Sequence, residues 1–253
     1  MELTAALRKQ TAQLAKARHR RESGLFVAEG TKCVLDTIDN FNCRHLFATD
    51  AWIENHQADL PAHVPVIKVT QSDIERMSSL STPQPVMAVY EIPATPELPE
   101  ADGHTLFVAL DRIQDPGNLG TIIRLCDWFG INHILASHDT ADVFSPKVVQ
   151  ATMGAISRVC LHYCNLAAEL HRLRQCMPVY GTFLDGSNLY GSDIDRSRGI
   201  IVMGNEGNGI SPEVASSVSH RLLIPSYPPG NPTSESLNVA TATAIMLAEF
   251  RRP

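Results

Sequence analysis

Short apolar runs of strand length alternate with helix-length amphipathic segments along the chain, and this alternation limits the fold more than any other feature. A strand, a helix and a second strand in succession favour crossover connections, which build a sheet covered by helices. In the first part of the chain, residues 3–18, 31–38, 51–57 and 74–78 read as helices, the last capped by Ser72 and Asp73. Between them, residues 25–28, 44–48, 66–69 and 86–90 read as strands, giving a three-layer α/β domain. Proline, acids and glycine then crowd residues 92–104, as in a linker. Beyond it, strands at 105–110, 133–136, 159–162, 179–183, 200–203 and 221–224 alternate with helices at 119–129, from Pro146 through 150, and at 236–251. A mostly parallel, doubly wound sheet is the simplest architecture for that order. The expected layout is a domain at 1–92, a linker at 93–104 and a larger domain at 105–253.

Composition narrows the class. With 253 residues, 44% apolar and 19% charged, the chain suits a soluble globular protein, and no apolar run reaches membrane-spanning length. The first residues lack the apolar core of a secretion signal, so a cytoplasmic protein is expected. The net charge of −6 is unevenly spread. Seven cations (Arg8, Lys9, Lys16, Arg18, Arg20, Arg21 and Lys32) face three acids in the first 32 residues, so an acidic protein carries a basic N-terminal patch able to hold phosphates. A solvated basic helix face gives the same pattern. Six cysteines include Cys160 and Cys164 around His162, but no Cys-x-x-Cys pair exists, and buried thiols are favoured over a metal site.

Three segments carry candidate chemistry. In the first, residues 110–130, a strand runs through Asp115-Pro116-Gly117-Asn118 into a helix whose start is an anion or cofactor site, and Arg124 lies in an otherwise apolar stretch of that helix. In the second, a strand enters Gly204-Asn205-Glu206-Gly207-Asn208-Gly209, where glycines allow close backbone approach to a ligand. In the third, a Pro- and Gly-rich loop from Ile224 leads to Ser234, Glu235, Ser236 and Asn238 at the start of the last helix. Each alone also fits an ordinary loop, a snorkelling arginine or a well-capped helix.

Taken in order, the three segments resemble the motifs of the SpoU (TrmH-like) family of RNA 2′-O-methyltransferases. Residues 118–124 resemble its first motif, 201–210 its second, and 224–240 its third; residues 145–155, S-P-K-V-V-Q-A-T-M-G-A, resemble a further recurring stretch. Residues 24–30, G-L-F-V-A-E-G, resemble the ribosomal-protein-like RNA-binding domain carried by some members. The resemblance implies an α/β fold with a C-terminal trefoil knot, a homodimer, and S-adenosyl-L-methionine (SAM) as cofactor, without metal or membrane. It implies catalytic roles for Arg124, Asn118, Glu206, Ser236 and Asn238, with Glu206 able to orient Arg124. SAM would lie against Thr182, Gly204, Asn205, Gly207, Ile224, Pro225 and Leu237. The substrate would be a ribose 2′-hydroxyl in structured RNA, ribosomal in preference to transfer RNA. A non-catalytic RNA-binding or ribosome-assembly protein on the same fold is the alternative. Residues 226–235 depart from the pattern by about four extra residues.

Overall fold

The computed structural model describes residues 2–100, 102–228, 234 and 236–252. Its elements, in chain order, are α1 (Ala5–Gln13), α2 (Ala17–Ser23), β1 (Leu25–Glu29), α3 (Thr31–Thr37), β2 (Cys43–Ala48), α4 (Asp50–His56), β3 (Val66–Lys68), α5 (Gln71–Met77) and β4 (Val86–Glu91). There follow β5 (Leu106–Leu110), α6 (Pro116–Trp128), β6 (His133–Ser137), α7 (Pro146–Thr152), β7 (Cys160–Cys164), α8 (Leu166–Leu173), β8 (Val179–Asn188), β9 (Gly199–Met203), α9 (Pro212–Ala215), β10 (His220–Leu223) and α10 (Val239–Phe250). The chain divides into two compact units, Met1–Ala94 with Asp142–Ser157, and Thr95–Ala141 with Arg158–Pro253.

In the first unit the sheet order is β1-β4-β2-β3, antiparallel except for the β2–β3 pair. Alternation along the strands sends Val27, Phe47, Met87 and Val89 to a face shared with Leu14, Ile74 and Met77 of the α1 and α5 region. The other face carries Phe26 and Tyr90, and Tyr90 meets the Thr37 hydroxyl of α3 at 3.0 Å. Helix α5 is set by a Thr70–Asp73 capping box, one turn earlier than the Ser72-Asp73 cap read from the sequence. The long first helix expected at 3–18 is two helices, broken at residues 14–16. Arg20 accounts for the break: it is 3% exposed, donates to the Leu14 and Ala15 carbonyls at 2.8 and 3.0 Å, and pairs with Asp142. Those carbonyls end α1, and a buried guanidinium needs such partners.

The stretch 142–157, read from the sequence as part of the larger domain, sits in the first unit. Helix α7 packs on β1, and the Phe144 and Phe26 rings lie 4.8 Å apart. Gly154, at φ +94°, lies so close to α3 that a Cβ would fall 2.5 Å from Asp36 Cβ. That approach explains why the turn ending this stretch needs a residue without a side chain.

In the second unit six parallel strands run β10-β8-β9-β5-β6-β7. Phe107, Ala109, Ile200 and Val202 share one face with Leu166, Leu170 and Leu173 of α8, a helix absent from the sequence reading. On the opposite side α10 packs against α6 and β9. Consecutive strands step from β5 toward β7 on one side, while β8, β9 and β10 lie on the other. The reversal falls between β5 and β9, and a ligand crevice forms where strand order reverses.

Candidate active site

The three candidate segments leave the carboxyl ends of β5, β9 and β10, so one end of the sheet gathers them. After β5, Asp115 caps α6 by accepting from Asn118 N at 2.8 Å, with Pro116 at the first helical position. This fixes Asn118 on the first turn. Its side chain joins the other two loops: Asn118 Nδ2 donates to Glu206 Oε1 at 2.8 Å, and Asn238 Nδ2 donates to Asn118 Oδ1 at 2.9 Å.

The polarity of this chain is determined. Asn238 Oδ1 accepts from the backbone of Ala240 and Thr241 at 3.0 and 3.2 Å, capping α10. Its amide nitrogen must therefore donate outward, so Asn118 presents oxygen to Asn238 and nitrogen to Glu206. Glu206 is the terminal acceptor. Carboxylate, amide, amide and helix N-terminus thus form one directed relay across the ends of three loops.

The loop holding Glu206 is itself rigid. Asn205 Oδ1 accepts from Gly207 N and Asn208 N at 3.0 and 3.1 Å, and Asn205 Nδ2 donates to the Arg112 carbonyl at 2.8 Å. Asn205 and Gly209 also exchange backbone hydrogen bonds. Asp111, 2% exposed, accepts from Ser211 N at 2.6 Å and from Arg112 Nε at 3.2 Å. Gly204 has no room for a side chain, because a Cβ would lie 2.4 Å from the Gly209 backbone. At Gly204 the loop packs closely on itself. At Gly207 the nearest atom to a Cβ would be Asn205 Oδ1 at 3.7 Å, so space is open over that residue.

Arg124 lies six residues beyond Asn118, about 9 Å along α6 and about 120° around it. It is exposed and makes no hydrogen bond or ion pair among the described residues. The expected Glu206–Arg124 contact is not formed; Glu206 takes its hydrogen bond from Asn118 instead. Asp127, the acid nearest in sequence on the same helix, is held by both ends of the Arg158 guanidinium at 2.9 and 2.7 Å. Ser236 is exposed two residues before the Asn238 cap. The extra loop residues fall mostly at 229–233 and 235, outside the described residues.

The expected cofactor contacts are polar main chain beside apolar side chains. The Thr182 hydroxyl reaches the Val202 carbonyl at 3.5 Å, Ile224 and Pro225 are half-buried at the end of β10, and Leu237 is 48% exposed. The main chain of Ile224 follows β10 directly, and that of Leu237 lies just before the Asn238 cap of α10. Main-chain polar groups beside an aliphatic wall are what the edge and face of an adenine can meet. The residues present therefore fit SAM.

A profile of the SpoU rRNA Methylase family matches residues 105–248. The chain belongs to this family. A profile of the MRM3-like substrate binding domain matches residues 8–88. The chain is 30% identical, over 77% of its length and 75% of the relative's, to the 23S rRNA guanosine 2′-O-methyltransferase RlmP of Bacillus subtilis. Its fold is similar to that of an AdoMet-bound rRNA methyltransferase from Sinorhizobium meliloti, with 32% identity, TM-score 0.85 and coverage of 100% and 97% of the two chains. A TrmH-family structure from Porphyromonas gingivalis matches at 42% identity and TM-score 0.87, covering 99% and 98%. As a SpoU methylase with its motifs in place, the chain is a SAM-dependent RNA methyltransferase.

Elsewhere in the second unit, His162 and His133 meet at 3.0 Å between Nε2 and Nδ1 across neighbouring strands. Burial holds both pKa values below the ordinary histidine range. No group of three His, Cys, Asp or Glu side chains able to hold a metal occurs among the described residues. No helix among them is long and apolar enough to cross a membrane.

Sequence reasoning named Asn118, Glu206 and Asn238 separately but not the bonds between them. It missed Asp111 and Arg112, which anchor the Glu206 loop. Their signal was an acid-base pair directly after an apolar strand.

Proposed function

We propose that this SpoU methylase transfers the methyl group of SAM to a ribose 2′-hydroxyl of structured ribosomal RNA. The observation that carries the reading is the relay Glu206–Asn118–Asn238, which ties the three motif loops into one acceptor-ended site. The similarity to rRNA 2′-O-methyltransferases supports both the reaction and the RNA class.

SAM supplies an electrophilic methyl on a sulfonium, held by Thr182, Gly204, Asn205, Gly207, Ile224, Pro225 and Leu237. A ribose hydroxyl is a weak nucleophile until its developing negative charge is stabilised. Arg124 fits that task because its guanidinium has no partner among the described residues. A guanidinium stays protonated far above neutral pH, so Arg124 positions the oxygen and stabilises its charge rather than removing the proton. The hydroxyl proton, shared with a neighbouring substrate phosphate as the methyl is transferred, is released to solvent. Asn118 holds Glu206 through Oε1, leaving Oε2, met by Asn205 Nδ2 at 3.5 Å, open to a substrate hydroxyl. Ser236 contributes an exposed hydroxyl at the same loop end.

The first unit binds RNA. Lys9, Lys16 and Arg21 support this role, being exposed without a carboxylate partner among the described residues. Arg8, Arg18 and Lys32 already pair with Asp73, Glu22 and Asp36, and join as phosphates displace those acids. Arg20 faces inward and keeps a structural role. A trefoil knot in the second unit, a cytoplasmic location and a homodimer complete the proposal. The dimer is supported by Trp128, 84% exposed on α6, a large apolar surface that a second copy can cover.

The test is mapping of ribose methylation in ribosomal RNA from a deletion strain. One 2′-O-methyl group should disappear and return with the wild-type gene but not with Arg124→Ala. Unchanged rRNA alongside a lost tRNA methyl moves the substrate to tRNA; no lost methyl in either, with no SAM binding by calorimetry, refutes the enzyme reading.

A further inference from the structure

A cavity of about 450 Å³ opens in the first unit between α1, α2 and the sheet. That is within the range of small-ligand sites, roughly 300–1,000 Å³. It contains none of Asn118, Arg124, Glu206 or Asn238. Its walls are aliphatic, with Leu7, Leu14 and Leu25, while Gln10, Gln13, Glu22 and His45 bring donors and acceptors to the rim and floor. This is the composition that accepts a flat ring on its faces and reads its edge.

His45 carries the polar clue. Its Nδ1 is buried with no hydrogen-bond partner among the described residues, while its ring sits 5.9 Å from Phe47. Burial and the adjacent Arg44 lower its pKa, so the ring stays neutral with one accepting nitrogen. Buried polar atoms without partners are uncommon. Glu22 on the rim pairs with Arg18 at 2.7 Å. Lys9 on α1, Lys16 at the N-cap of α2 and Arg21 on α2 are exposed and without carboxylate partners among the described residues. Aliphatic walls, an edge-reading rim and flanking cations together select a nucleotide: the base enters and the phosphates stay outside.

We infer that this cavity is a base-capture pocket, holding one unpaired nucleobase of the substrate RNA other than the nucleotide that is methylated. The inference rests on the reading of the first unit as RNA-binding. Sequence-specific RNA recognition depends largely on unstacked bases held in such pockets.

The full-length protein is titrated with two short fluorescent probes, a random-sequence RNA pool and a ribose-phosphate chain of equal length without bases. Wild type should prefer the base-bearing pool by about tenfold, the scale of one captured base. His45→Phe, which keeps the ring, and Leu7→Trp, which fills the cavity, should each lose most of that preference while the salt dependence of binding stays unchanged. Gln10→Ala, at an exposed position, replaces either variant if its melting temperature drops. Lys9→Ala/Lys16→Ala/Arg21→Ala should instead weaken both probes alike and flatten the salt dependence. Pocket variants that bind the pool as tightly as wild type overturn the inference while the triple variant still binds weakly; a pocket that serves a peptide gives this same result. A triple variant that binds RNA like wild type removes the RNA-binding reading of the unit and the pocket with it.

Discussion

Replacing Asn118 with Asp tests the directed relay, because it changes one atom and reverses one hydrogen bond. In Asn118→Asp the oxygen accepting from Asn238 remains, but the nitrogen donating to Glu206 Oε1 at 2.8 Å becomes a second carboxylate oxygen. Two full charges at that separation repel by about 1.5 kcal/mol even at the dielectric of water, and the lost bond adds about 0.5–1 kcal/mol at an exposed site. A cost near 2 kcal/mol lowers kcat/KM about 30-fold if Glu206 must be held in place for the transition state. The repulsion also favours a retained proton, and a protonated carboxyl again donates across the gap. The variant should therefore regain activity relative to wild type as pH falls from about 8 to 5.5, by about tenfold. Single-turnover transfer of tritiated methyl to rRNA from the deletion strain measures both quantities. A variant within about threefold of wild type, with a ratio flat in pH, would refute the claim that the relay positions Glu206.

Arg124→Ala should lower methyl transfer by at least about 100-fold while calorimetry finds SAM affinity unchanged; weakened SAM binding with normal transfer contradicts the assigned role. Gly154→Ala should destabilise the protein by about 2 kcal/mol or more in urea, since it combines a left-handed φ with an overlap on Asp36. Gly207→Ala should leave stability within about 0.5 kcal/mol yet weaken SAM binding, because the added methyl enters open space at the cofactor loop. Burial lowers the folded pKa of His133 and His162, so unfolding takes up protons; their contribution is complete above the unfolded histidine pKa and is lost as pH falls through about 6.5. Urea unfolding of His162→Gln between neutral and mildly acid pH should show a smaller loss than wild type, and an equal loss contradicts that assignment.

Strand existence was legible throughout, because buried runs such as Phe107–Leu110 and Ile200–Met203 leave no other reading. The break between α1 and α2 was not. Residues 14–16 keep helical periodicity, and the cause is Arg20 folding back on the Leu14 and Ala15 carbonyls while holding Asp142, more than 100 residues away. The residence of residues 142–157 in the first unit was hidden for a similar reason: their apolar face says that they are buried, not what buries them. Helix α8 was overlooked although Asn165 caps it and its leucines at 166, 170 and 173 keep helical spacing. At the site, residue identities were readable by family resemblance. The partnership Asn118–Glu206–Asn238 was not, since hydrogen bonds spanning 88 and 120 residues leave no local pattern.

The acidic net charge bears on how the first unit can bind RNA. Of its seven N-terminal cations, Arg20 is buried against Asp142, while Arg8, Arg18 and Lys32 pair with acids on neighbouring turns or helices. Exposed pairs are weak and exchange readily, but each phosphate that replaces Glu22 or Asp36 leaves that acid uncompensated beside the RNA. Lys9, Lys16 and Arg21 are then the cations that bind phosphate without such a penalty. Three contacts to single-stranded RNA give a log–log salt slope of only about −2. A patch with so shallow an electrostatic footprint gains limited affinity from backbone alone, even with Arg76 and Lys147 as further exposed cations of the unit. Its discrimination must come from contacts that salt does not screen, and the cavity beside His45 is where such contacts are available in this unit.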